Sequence, residues 1–156
     1  MVHGCASVIY SRVDPDTEWN VYRVSVSGSA APEPLVTGPG VEIGGDESPA
    51  GGWIKFLSDE TGRPELFVQS LAPSRTKLPA SIGGVQSAWW SADGKHLFFL
   101  KGDQTIWRVS ADLNAATPRI GAPEQLGTFP TVVALDLAPS GDRFLALVRN
   151  ETEWAR

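Results

Sequence analysis

Three carboxylates at alternate positions, Asp14, Asp16 and Glu18 in "DPDTEW", have the spacing that calcium loops use to set oxygen ligands around a hard cation. The glycine and the distal glutamate of such a loop are missing, so the stretch reads as a solvated turn between two strands and no metal is assigned. A second charged stretch, "SDETGRPE", carries Asp59, Glu60, Arg63 and Glu65, and its expected chemistry is ion pairing in water. Nucleophilic catalysis needs a base within reach of an activated serine. The only histidines are His3 and His96, and no G-x-S-x-G elbow occurs. His96 shares its register with Trp53 and Arg143 in a repeat that runs through the chain, which marks the position as a surface site beside a turn. "TGPGVEIGG" has the glycines of a phosphate loop, but no lysine follows and no helical pattern opens, so it reads as a connection between structural units. The sequon at Asn150 carries no weight without a secretory context. These residues point to no catalytic activity, no cofactor and no metal.

The elements that must hold these side chains are short and turn-rich. In 156 residues there are 16 glycines and 12 prolines, which favours strands and tight turns over long helices. The net charge of -5 comes without any lysine or arginine cluster, so nucleic acid is not an expected partner. Cys5 is the only cysteine, which rules out an internal disulfide. No leader-like apolar segment and no run of 18 apolar residues is present, so the chain as given is expected to be soluble and cytoplasmic, or periplasmic if it is a piece of a longer exported protein.

A repeat supplies the architecture. "SPAGGWIKFL" begins at Ser48, "SADGKHLFFL" at Ser91 and "APSGDRFLAL" at Ala138, with turn glycines Gly51, Gly94 and Gly141 separated by 43 and 47 residues. That period is close to the roughly 40 to 45 residues of a four-stranded propeller blade. A second series, "NVYRVSV" from Asn20, "ELFVQSL" from Glu65 and "TIWRVSA" from Thr105, alternates apolar and polar residues and aligns Tyr22, Phe67 and Trp107. Alternation with period two is the mark of a strand with one buried face. The weaker runs "EPLVTG", "TKLPASI" and "EQLGTF" fall where an outer fourth strand is expected. Trp89 and Trp90 point to opposite faces, and both are expected to serve the core.

On these motifs the chain resembles the TolB-like, WD-repeat-like β-propellers, among them the propeller at the C-terminal end of bacterial serine/threonine kinases. The likeness rests on residues 58–71, 83–110 and 137–148. It implies an all-β fold of four-stranded antiparallel blades. Two departures stand out: Glu47 occupies the place of the aromatic Trp90, and "SPAGG" lacks the aspartate before its glycine, so the second blade is expected to pack less tightly there. The expected division is an incomplete first blade over 1–40, full blades over 41–84 and 85–130, two strands of a fourth over 131–149 and a tail over 150–156. Propellers close with about four to eight blades. This partial β-propeller is therefore expected to dimerise into a ring of six or seven blades.

In such a fold the turns joining second to third strands, and the crossovers between blades, share one face. Residues 38–44, 83–87 and 129–132 would surround the channel. The candidate binding residues are Asp14, Asp16, Glu18, Glu42, Asp59, Glu60, Arg63, Gln86 and Asp103. The face is acidic, which favours a basic or polar peptide. The resemblance implies a non-enzymatic module for protein interaction or ligand sensing. The alternatives are an accessory substrate-gating piece of a hydrolase or peptidase encoded elsewhere, and a fragment without function.

Overall fold

The computed structural model describes residues 6–28, 30–129, 132–138, 140–141 and 143–148. His3, Cys5 and the 150–156 tail with its Asn150 sequon lie outside the described residues. Among the described residues the regular structure is fourteen strands, with no helix. The first sheet comprises β1 (Ser7–Val13), β2 (Trp19–Ser25) and β3 (Glu33–Val36), in that order. The second has β4 (Glu42–Glu47), β5 (Trp53–Ser58), β6 (Glu65–Ser70) and β7 (Lys77–Pro79), again in chain order. In the third, β8 (Ser87–Trp90), β9 (His96–Leu100) and β10 (Thr105–Asp112) lie side by side. Its outer position is divided between β11 (Arg119–Ile120), on the end of β10, and β12 (Glu124–Thr128), on its beginning. The fourth is a hairpin of β13 (Val132–Leu137) and β14 (Phe144–Val148). All of the pairings are antiparallel.

Each sheet is built from local hairpins, and the turn before β9 shows how one sheet meets the next. Gly94 has φ of 68°, a backbone region that other residues enter at a cost. Its amide donates to the Ser91 carbonyl, while Asp93 accepts from the Ser91 hydroxyl and the Lys95 amide. The same glycine presses on the corresponding turn of the second sheet: a β-carbon here would stand 3.0 Å from the Ala50 nitrogen and 2.8 Å from Ser48 Oγ. Gly141 repeats this against Ala92, where a β-carbon would meet the backbone nitrogen at 3.2 Å. Turn is thus stacked on turn from sheet to sheet.

Two apolar layers lie between the sheets. Val21, Leu35 and Val36 of the first sheet meet Ile54, Phe56 and Phe67 of the second. The larger layer joins the second sheet to the third through Leu57, Leu66 and Val68 against Trp90, Leu97 and Phe99. Phe99 is 0% exposed, and burying such a side chain contributes roughly 1.5–3 kcal/mol. Trp90 also donates its indole N–H to the Asp46 carbonyl across the interface, at 3.0 Å. Trp89 is only half-buried and meets Phe144 of the fourth sheet edge-on, as does Phe98.

Several expectations need revision. Trp53 is a buried core residue, whereas its repeat partner His96 is half-buried, so register alone does not make this a surface position. The reason is packing: the second and third sheets close over Trp53 together with Ala111 and Leu113. Glu47 turns outward to Arg23 at 3.5 Å, and a bulge in β4 between Ile43 and Asp46 exposes the Gly44 carbonyl. That carbonyl accepts from Lys55 Nζ at 3.0 Å. Burial lowers the Lys55 pKa, an effect that nearby Asp46 opposes.

Candidate binding face

The side chains with polar chemistry gather at one end of the sheets, where the β1–β2, β5–β6 and β9–β10 turns meet the crossovers between sheets. Asn20, Glu65 and Thr105 occupy equivalent positions two residues before the aromatic of the third-strand series, and all three are buried. Each is buried with its polar atoms satisfied, which is the condition for placing such groups away from water. Asn20 accepts from the Gly38 amide and donates to Asp14 and Thr17. Glu65 accepts from the amides of Gly83 and Gly84 and from the Ser81 hydroxyl. Thr105 donates to Asp103 and accepts from the Trp107 indole.

Neighbouring residues complete the clamps. Asp59 Oδ1 accepts from the Val41 amide at 2.8 Å, and the Gln104 side chain accepts from the Val132 amide at 2.9 Å. "TGPGVEIGG" is thus the reverse of a phosphate loop, because its backbone amides face the protein's own carboxylate and carboxamide. Gly38 passes so close to the Glu42 carboxylate that a β-carbon could not be accommodated without displacement.

The acidic residues therefore do different work. Asp14 is three-quarters or more buried as a side chain and holds Tyr22, Asn20 and Arg12, so "DPDTEW" is not simply a solvated turn. The Tyr22 hydroxyl, then Arg12 and Asn20, hold the Asp14 pKa below the usual carboxylate value. Asp14 in turn raises the Tyr22 pKa. Asp103 is lowered by the hydroxyl and amide of Thr105. Glu60 pairs with Lys77, which also lies over the Phe67 ring at 4.8 Å. Glu65 and Asp59 belong to backbone clamps rather than to ion pairs in water, because the crossovers bring amides to them that a strand-by-strand reading does not place.

Glu42 is 1% exposed and lies beneath the face rather than on it. Its Oε1 accepts from Ser58 Oγ at 3.2 Å, while Oε2 has no protein partner. Desolvation raises its pKa, against the opposing pull of Ser58 and Lys77. Asp16, Glu18, Gln86, Asp103 and Arg63 are exposed, and Arg63 reaches toward Glu65 at 3.9 Å. Asp14, Asp16 and Glu18 share one turn. Asp59, Glu60 and Arg63 share the next, and Asp103 lies in the third. Among the described residues no group of three or more His, Cys, Asp or Glu side chains is placed to hold a metal ion. The arrangement can present charge and hydrogen-bonding groups on rigid turns. Reading the sequence strand by strand misses Asn20 and Glu65 as anchors, although their shared register with Thr105 is a usable signal.

Antiparallel sheets in chain order, stacked turns and a common crossover face define an all-β partial β-propeller. The solved structures it resembles share that fold. A candidate TolB from Agrobacterium tumefaciens is 21% identical, with a TM-score of 0.60 over 78% of this chain and 45% of that one. TolB from Acinetobacter baumannii is 15% identical, with a TM-score of 0.55 over 94% of this chain and 48% of that one. A candidate 6-phosphogluconolactonase from Bacteroides uniformis is 14% identical, with a TM-score of 0.53 over 92% of this chain and 48% of that one. The chain spans about half the length of these structures. No protein-family model and no curated protein matches it. No helix among the described residues is long and apolar enough to cross a membrane.

Proposed function

We propose that the chain is a non-enzymatic propeller module that binds a protein or peptide of basic or polar character on the crossover face. The observation that carries this reading is the division of labour there. Buried Asn20 and Glu65 anchor the crossovers, while Asp16, Glu18, Arg63 and Asp103 stand exposed on turns that the anchors hold rigid. Rigid scaffolds with variable turns are the usual basis of recognition.

The test is titration of the chain with a hexalysine peptide, followed by amide chemical shifts. Saturable shifts at 14–18, 59–63 and 101–104, weakened by Asp16→Asn with Glu18→Gln, are expected. Equal binding of hexaglutamate, or no saturable binding, rejects the reading.

We also infer that two copies join to complete one ring. Among the described residues β1 pairs only with β2 and β14 only with β13, and open edges of this kind invite further pairing. The outermost sheets also expose apolar side chains: Val8 is 46% exposed, Leu145 76% and Leu147 62%. Sedimentation at micromolar concentration is expected to give twice the 16.7 kDa chain mass. A folded species at the single-chain mass rejects dimerisation and leaves the binding face untouched.

A further inference from the structure

The turns before β5 and β9 lie at the end of the sheets opposite the crossover face, and a cleft of about 490 Å³ opens between them. Its far wall is an addition to the repeat. Glu65 and Thr105 share a register, so Ser110 corresponds to Ser70. After Ser70 the chain reaches β7 at Lys77, whereas β10 continues to Asp112 and β11 begins only at Arg119. The added chain, with Ala111, Leu113 and Asn114, closes the cleft on the side away from the turns. The volume lies within the roughly 300–1,000 Å³ of small-molecule sites. Trp53 borders the cleft and is 7% exposed, yet its indole N–H makes no hydrogen bond with the described residues. Trp90 and Trp107 by contrast donate to the Asp46 carbonyl and the Thr105 hydroxyl. A buried indole N–H usually has such a partner, and for Trp53 the cleft is where an acceptor can come from.

We propose that this cleft binds the ring of an uncharged sugar. Its charges balance: Asp93 and Asp112 face Lys95 and Arg119, the last pairing with Asp112 at 3.1 Å. Asp93 stays ionised at neutral pH, since the Ser91 hydroxyl and then the Lys95 amide hold its pKa below the usual carboxylate value. A phosphate or carboxylate ligand would meet two carboxylates, and a cationic one would meet an ammonium and a guanidinium. The lining also offers both halves of a hydrogen bond. The carboxylates and the Asn114 carbonyl accept, while the Trp53 indole and the Lys95 ammonium donate. Every sugar hydroxyl is donor and acceptor at once, so it can use both. Ala50, Ala111 and Leu113 supply an apolar wall for the C–H face of the ring. The site shares no residue with the crossover face, so this inference and the peptide-binding role fail separately.

Titration of the full chain with glucose, N-acetylglucosamine and maltose tests it, read by the indole and backbone N–H chemical shifts. At least one of the three is expected to give saturable shifts at 93–96 and 110–114, with the Trp53 indole signal moving downfield as its N–H gains an acceptor. Asn114 is exposed and His96 half-buried, so His96→Ala with Asn114→Ala keeps the fold. That double variant is expected to weaken the binding about tenfold, the loss of one or two hydrogen bonds. No saturable shift with any of the three sugars overturns the proposal, as does a double variant that binds like the wild type. Glucose 6-phosphate acting on the Trp53 signal at lower concentration than glucose also overturns it, by showing an anion site. Sugar-induced shifts confined to 14–18, 59–63 and 101–104, with Trp53 unmoved, overturn it as well and place the sugar on the crossover face.

Discussion

Glu65 Oε1 lies 2.7 Å from the Gly83 nitrogen, so a residue opening the third strand of the second sheet holds the crossover into the third. Gly84 and Ser81 donate to the same carboxylate. Glu65→Ala removes the acceptor of two amides and a hydroxyl at once. Part of this crossover is exposed, so water replaces some of what is lost, and the expected cost is about 2 kcal/mol. Hydrogen exchange is expected to speed up at Gly83 and Gly84 ahead of the sheet cores. Unchanged protection there removes the anchoring role.

The stacked turns give a comparison between two glycines. Gly51 has φ of 77° and open space where a β-carbon would sit, whereas Gly94 is left-handed and in contact with Ser48 and Ala50. Gly51→Ala is expected to cost about 1–2 kcal/mol from backbone strain alone. Gly94→Ala adds a steric term of roughly 1–3 kcal/mol. Equal losses in denaturant unfolding reject the inter-sheet contact.

Glu42 sets a pH dependence. Its folded pKa is raised by desolvation, so the stability it contributes is present below its unfolded value and is lost as pH rises through the folded one. Glu42→Gln keeps the shape without the charge. The variant is expected to melt above the wild type at neutral pH, with the gap closing on acidification. A wild type that melts higher at neutral pH contradicts the desolvated carboxylate.

Asp14 runs in the opposite sense. Its folded pKa is lowered, first by the Tyr22 hydroxyl, so its contribution is present above the unfolded value and is lost as pH falls through the folded one. Asp14→Asn is expected to lower the melting point at neutral pH, with the difference narrowing at strongly acid pH. Tyr22→Phe is expected to return the Asp14 pKa toward its ordinary value, measured by carboxyl carbon chemical shift. An Asp14 pKa that stays low in Tyr22→Phe assigns the shift to Arg12 and Asn20 instead.

Much of the fold was legible locally. The β8 strand alternates half-buried and buried residues over Ser87–Trp90, whereas β5 and β6 are buried on both faces between neighbouring sheets, and the turn glycines before β5, β9 and β14 adopt the left-handed backbone that a tight hairpin needs. Both signals depend on neighbours in sequence, which is why the repeat could be read without coordinates. The third outer strand was less legible, since β11 and β12 divide one position and neither alternates clearly.

The site was legible as a place and not as a set of roles. By itself the sequence determined an all-β repeat with hairpin turns and with acidic residues in those turns, because each of these follows from short-range backbone and side-chain preferences. Only the tertiary structure decided that Glu65 is an anchor, Glu42 a buried carboxylate and Trp53 a core residue. The physical reason is that a carboxylate's partner can be a backbone amide, and every residue except proline has one. Glu65 meets amides 18 and 19 residues away, and nothing in the side chains of Gly83 and Gly84 announces it.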